Sequence, residues 1–324
     1  MRILSDRHHM GLTESLRLLF EKRLGHELYF QKGLEWYPDF WNVYPHIDTA
    51  KQYLERELEG VRGITLEELK NTQFDILIAS IPQHIEPFKK LISLYQPQAK
   101  LIYQIGNMWD IDPNSVKNVM ASANVDIPAN INGIIYHQEF DLDIFHYEPP
   151  KEGKKIYSFI NCLNTVDIYK KDWELFLELE RLMPDWEFKS FGGQTRNGAI
   201  TNQEELANKM REATLIFHSK NKGDGFGHVI HNAAAIGRPL ITRFSDYEGK
   251  LAGSLLQGIG PTSIFVDNKT PEQITKDINR IYEFTNGDGY GINDMSNNIY
   301  QSFKQNVNFD QEEIAIRRFV ENLI

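Results

Sequence analysis

Short runs rich in apolar residues recur along this chain, and stretches with apolar residues three and four apart lie between them. The runs are Arg2-Ile3-Leu4, Leu28-Tyr29-Phe30, 74–80, 100–106, 156–161, 187–193, 215–218 and 264–266. Runs of this length, apolar on both sides, predict buried strands of a parallel sheet. The first helical stretch carries Leu12, Leu16, Leu19, Phe20 and Leu24, and Gly25 stops it. A more polar helix is predicted over Thr49–Glu59, and another follows Lys170-Lys171 with Trp173, Phe176, Leu177 and Leu182 on one side. Further helices are expected at about 204–213, 271–284, 294–305 and 311–323. Strand and helix alternate twice over, which predicts an α/β protein of two Rossmann-like domains.

The polar, Pro- and Gly-rich stretch Glu148-Pro149-Pro150-Lys151-Glu152-Gly153-Lys154-Lys155 breaks the alternation and reads as a linker. The expected layout is therefore a first domain over 1–147 and a second over 148–306, with a final helix in 307–324. Residues 33–72 fit the pattern least. Trp36, Tyr37, Phe40, Trp41 and Tyr44 lie there with Pro38 and Pro45, and packing on the core is the expected use of those rings.

One stretch organises the second half. Strand 215–218 runs into Gly223-Asp224-Gly225-Phe226-Gly227, a small-residue helix begins near His228, Gly237 closes it, and Arg238-Pro239 leads to the next strand. Three glycines in five positions let the backbone turn with positive φ and approach a ligand closely. The free N–H groups and positive dipole end of the helix face that loop. Such a helix start is an anion site, and the expected anion is a nucleotide diphosphate.

Asp224 and Asn232, eight residues apart, bracket the Gly-Phe-Gly. The stretch resembles the donor-site signature of retaining glycosyltransferases of the GT-B fold, in which two acidic residues stand at that spacing. The resemblance also covers 134–175, where Glu139-Phe140-Asp141 and Ile144-Phe145 match the family's crossing segment in type. It implies two Rossmann-like domains facing a cleft, a final helix after Val307-Asn308-Phe309-Asp310 that returns to the first domain, and transfer of a sugar from a nucleotide-sugar to an acceptor hydroxyl with retention and without a metal. It further implies that Asp224 holds the sugar hydroxyls, that Gly225, Phe226 and Gly227 offer backbone N–H groups, and that Asn232 holds the ribose. Lys171, with Lys170 beside it, matches the lysine that clamps the donor phosphates. Arg243, in the next strand-end loop, is a further donor contact. His84 and Gly11 are expected at the cleft, His84 with Asp224 and Lys171 in the catalytic set, and His8 and His9 are further cleft candidates. The chain departs from the family in two places. The second acid is the uncharged Asn232, and Asn161-Cys162-Leu163-Asn164 stands where a phosphate-binding arginine belongs, so Lys220, Lys222, Arg196 or Arg243 would have to substitute.

Composition narrows the remaining choices. The 324 residues, 41% hydrophobic and 12% aromatic, suffice for two packed domains. No run of about 18 apolar residues predicts a membrane span, and the N-terminus carries no apolar stretch of signal-peptide length. The single cysteine, Cys162, excludes an intramolecular disulfide and fits the cytoplasm. A formal charge of −10 disfavours broad nucleic-acid binding and with it one alternative, an enzyme of this fold that acts on a modified DNA base. A non-catalytic sugar-nucleotide binder is the other alternative. Asp110 and Asp112 share a loop but are expected to be solvated, so no metal and no other cofactor is predicted; the nucleotide-sugar is a co-substrate and the acceptor is open.

Overall fold

The computed structural model describes residues 1–44, 46–107, 112, 114–123, 125–284 and 290–324. Asp110 lies outside the described residues. The chain falls into two compact units, Met1–Phe140 with Phe309–Ile324, and Asp141–Asn308. Among the described residues no helix is long and apolar enough to cross a membrane.

The first unit is built on β1 (Arg2–Ser5), α1 (Met10–Leu16), β2 (Glu27–Gln31), α2 (Ile47–Leu54), β3 (Gly63–Ile64), α3 (Leu66–Lys70), β4 (Ile76–Ala79), α4 (Ile85–Tyr95), β5 (Lys100–Ile105), β6 (Asn118–Ala121) and β7 (Asn132–Ile135). The seven strands are parallel, in the order β3-β2-β1-β4-β5-β6-β7. Successive residues of a strand face opposite sides of a sheet, so these apolar runs fill two cores. Ile3, Ile76, Ile78 and Ile102 point to the face covered by Leu12, Leu16 and Phe20. Leu4, Leu77, Ala79 and Tyr103 point to the other, covered by Trp36, Phe40, Trp41, Phe88 and Leu91. The aromatic loop is packed, as expected, and its indoles find acceptors: Trp36 Nε1 donates to Ile64 O at 3.0 Å and Trp41 Nε1 to Arg7 O at 3.0 Å. α1 continues through Arg17–Arg23 as a wider turn, in which Leu24 N donates to Leu19 O, five residues back, at 3.0 Å. α2 starts two residues before the expected position and ends at Leu54 instead of Glu59.

The second unit contains β8 (Lys155–Ser158), α5 (Lys170–Leu182), β9 (Glu187–Ser190), α6 (Gln203–Glu212), β10 (Leu215–Phe217), α7 (His228–Ile236), β11 (Leu240–Thr242), α8 (Leu251–Leu256), β12 (Ser263–Phe265), α9 (Pro271–Glu283) and α10 (Ile292–Asn306). Its five strands are parallel in the order β12-β11-β10-β8-β9. Phe176, Leu179, Ile274 and Ile278 of α5 and α9 pack with Ile156, Leu215, Phe217 and Ile241 of the strands. α7 is buried from Ile230 to Ile236, which accounts for its run of alanines.

The last helix, α11 (Phe309–Glu321), returns to the first unit and buries Ile316, Phe319 and Val320 against Leu12, Leu16 and Phe20. Polar contacts fix it there. Arg23 meets Asp310 at 2.6 Å, and Glu312 accepts from His137 N at 2.9 Å while its other oxygen lies 2.6 Å from His137 Nδ1.

Candidate functional site

In an open parallel sheet, ligands bind beyond the carboxyl ends of the strands, where the strand order reverses. In the second unit β8 pairs with β9 on one side and β10 on the other, so that point lies between β8 and β10. The loop after β10 is the glycine loop singled out in the sequence, and the loop after β8 leads to Lys170 and Lys171.

Two glycines of the loop make it possible. Gly223 has φ +66°, and a Cβ there would lie 2.6 Å from the carbonyl oxygen of Asp246. Gly227 has φ +83° and forms the entry to α7, so no side chain at that position caps the helix. Gly237, also left-handed, ends it.

Asp224 is engaged by three donors. Its Oδ2 lies 2.8 Å from His218 Nε2 and 3.1 Å from the Tyr247 hydroxyl, and its Oδ1 receives the Lys220 ammonium. Burial pushes its pKa up, but the hydrogen bond and charge of His218 together with Lys220 outweigh this, and the carboxyl lies below the usual carboxylate range. Lys220 is the reciprocal case: burial lowers its pKa, the Asp224 charge raises it, and the net direction is up. Burial and the same carboxylate raise Tyr247. The arrangement fixes a carboxylate anion at the mouth of the loop, with 19% of the side chain exposed.

Phe226 is buried, and its ring stacks on His231 with centroids 3.9 Å apart. Its side chain is therefore a brace of the loop, and what it offers outward is backbone. Asn232 is only 6% exposed, and its Oδ1 is buried without a hydrogen-bond partner among the described residues. Lys170 and Lys171 are the first residues of α5, both exposed, and neither forms an ion pair among the described residues. Arg243 Nη1 lies 3.2 Å from Asp172 and 3.3 Å from Asp246. Of the possible substitutes for the missing arginine, Arg196 is taken up by Glu180 and the Phe188 carbonyl, and Lys220 by Asp224. Asn161 spends its Oδ1 on Gly193 N at 2.8 Å, which pins the loop after β8 to the one after β9.

The first unit holds a second polar cluster at its own reversal point, between β1 and β4. Asp6, fully buried, accepts from Ser80 N at 2.8 Å and from the Ser80 hydroxyl, and lies 2.7 Å from His84 Nδ1. Asn42 N donates to His84 Nε2 at 3.3 Å. His84 was expected to face a cleft from the strand end. Instead its ring is wholly buried with both nitrogens engaged, because 82–84 form a tight turn that carries the side chain inward over Asp6. His8 is the member that reaches the surface, 17% exposed, with Nδ1 2.9 Å from Ser80 Oγ. Burial, partly offset by the charge of Asp6, lowers its pKa. His9 caps α1, accepting from Leu12 N at 3.3 Å, and Gly11 sits half-buried in the first turn of that helix. Asp6 and Asp172 were missed in the sequence, because each is defined by partners about fifty to eighty residues away.

No protein-family model matches the sequence, and no curated protein does. Solved structures match over the whole chain. Anabaena HepE in complex with UDP and glucose superposes with a TM-score of 0.67 at 12% identity, covering 99% of this chain and 100% of that one. A glycosyltransferase from Rickettsia africae gives 0.65 at 13% identity, covering 99% and 98%. Sucrose-phosphate synthase from Thermosynechococcus elongatus gives 0.65 at 11% identity, covering 100% and 99%. The fold is that of GT-B-like glycosyltransferases. Likeness at this level of identity extends to both units and their order, and the residues of the site must be argued on their own chemistry.

Proposed function

We propose that this protein is a glycosyltransferase that moves a sugar from a nucleotide-sugar donor to an acceptor hydroxyl, with retention and without a metal. The observation that carries the reading is the loop Gly223–Gly227. It places an anionic carboxylate and the uncapped start of a buried helix side by side, at the strand-order reversal of a parallel sheet. The helix start suits a phosphate, and the carboxylate suits sugar hydroxyls. The UDP and glucose held by HepE, a protein of the same fold, are consistent with this division.

In this reading Asp224 accepts from the donor sugar, and the amides of Gly225, Phe226 and Gly227 face sugar and phosphate. Lys171, Lys170 and Arg243 surround the diphosphate. Asn232, with its unpartnered oxygen, turns toward the ribose. As the bond from the anomeric carbon to the phosphate oxygen breaks, the acceptor oxygen bonds to that carbon from the same face, and its proton leaves with the diphosphate. The protein then supplies position and positive charge to the departing group, which are the terms that dominate such reactions. In the first unit His84 acts by fixing Asp6 and Ser80 beneath His8.

The test is a thermal-shift panel of UDP, GDP, ADP, TDP and their common sugars, followed by slow hydrolysis of whichever sugar nucleotide binds. Binding with turnover that survives EDTA, and a product anomer matching that of the donor, supports the proposal. Absence of any shift at millimolar nucleotide overturns it, and binding without turnover replaces it with a sugar-nucleotide binder.

A further inference from the structure

Asp172 is fully buried, and among the described residues its ion-pair partner is Arg243 rather than either of the lysines that precede it. It stands in the first turn of α5, where the helix dipole favours an anion, and it collects donors from two other segments. Ser219 Oγ donates to Oδ1 at 2.8 Å, Asn221 N to Oδ2 at 2.9 Å, and Arg243 Nη1 to Oδ1 at 3.2 Å. One side chain therefore joins the approach to α5 from β8, the loop after β10 and the loop after β11, which follow three adjacent strands of the sheet. A carboxylate taken out of water is costly unless such partners satisfy it, and once satisfied it holds them rigidly.

Arg243 gives the contact a direction. Only its Nη1 is used, shared between Asp172 and Asp246, while Nε and Nη2 have no partner among the described residues and 29% of the side chain is exposed. A guanidinium tied by one nitrogen presents the rest of its fork to solvent, and that fork matches a phosphate. We propose that Asp172 is the positioning residue of the donor site: it aims Arg243 at the diphosphate and fixes the start of the loop that carries Asp224. The inference rests on the donor-site reading above. Asparagine cannot replace Asp172: its Nδ2 meets a donor in either orientation, the N–H of Asn221 at the Oδ2 position or Arg243 Nη1 at the Oδ1 position, and the pull on Arg243 is lost.

The test is calorimetric titration of the wild-type protein with UDP, GDP, ADP and TDP, repeated with the nucleotide that binds on Asp172→Asn, Arg243→Met and the double variant. Each single substitution is expected to weaken the nucleoside diphosphate tenfold or more. The double variant is expected to bind no more than threefold worse than Arg243→Met, because both losses pass through one guanidinium. Affinity for the matching nucleoside, which has no phosphate, is expected to stay constant, which general damage to the unit would not allow. Unchanged diphosphate affinity in Asp172→Asn, additive losses, or a parallel loss of nucleoside affinity each overturns the inference. If Asp172→Asn does not fold, Ser219→Ala and Arg243→Met decide: a twofold to threefold loss in the first and tenfold in the second support it, and wild-type affinity in either overturns it. Failure of the wild-type protein to bind any of the four removes the donor-site reading itself, a result distinct from all of these.

Discussion

The Nε2 of His218, where β10 gives way to its loop, lies 2.8 Å from the Oδ2 of Asp224. That bond turns the carboxylate back over the strand it follows, and Lys220 and Tyr247 hold it from two further sides. Asp224→Asn removes the charge and keeps the shape. Turnover of the donor is expected to fall by about two orders of magnitude, and stability by about 2 kcal/mol, since the half-buried Lys220 is left without its anion. Steady-state rates and chemical denaturation check the two halves.

The same cluster predicts a pH dependence. The folded pKa of Asp224 is depressed below the ordinary 3.8, so its contribution to stability is complete above that value and disappears as pH falls toward the folded pKa. Lys220 has a folded pKa raised above 10.5, so its contribution is complete below that value and is lost as pH rises past the folded one. Melting temperature measured from pH 2 to 11 is expected to fall at both ends in the wild-type protein. Both slopes are expected to flatten in Asp224→Asn, and equal slopes in the two proteins would exclude this coupling.

Lys171 is exposed and unpaired among the described residues, so Lys171→Ala should leave stability within about 0.5 kcal/mol. Loss of a cation beside a diphosphate is expected to weaken nucleotide binding about tenfold, or ~1.4 kcal/mol. A calorimetric titration in which Lys171→Ala binds like wild type would leave Arg243 and the helix start as the phosphate site.

Gly223→Ala tests the loop as a shape. Its left-handed φ and the Asp246 carbonyl 2.6 Å from the added Cβ leave no room without a shift of backbone. The substitution is expected to cost about 2 kcal/mol and to abolish nucleotide binding. Gly198→Ala, also at positive φ but with nothing near the new Cβ, is expected to cost about 1 kcal/mol and to leave binding intact. Denaturation and titration of both variants separate backbone strain from blocked space.

Much of this architecture was visible in the chain because buried parallel strands are written as apolar runs. β4, β5, β8 and β10 stand where the runs do, and α7 lies between its two glycines. β3 and β6 escaped notice for the converse reason: Gly63–Ile64 has two residues, and Asn118–Ala121 opens on a polar one. The glycine loop and Asp224 were legible because glycine reports backbone shape locally. The burial of His84, and the roles of Asp6 and Asp172, were not. Each depends on partners brought together by strand order, and a local pattern carries no trace of them.

The return of α11 to the first unit constrains how the protein is made. Residues 141–308 form a unit continuous in sequence, which can collapse as soon as it is synthesised. The first unit cannot finish its core in that time, because Ile316, Phe319 and Val320 are translated only after the whole second unit. Until then Leu12, Leu16 and Phe20 lack the helix that buries them, and the nascent first unit is a sticky, half-built sheet waiting on its lid. The first unit thus begins synthesis first and completes its core last.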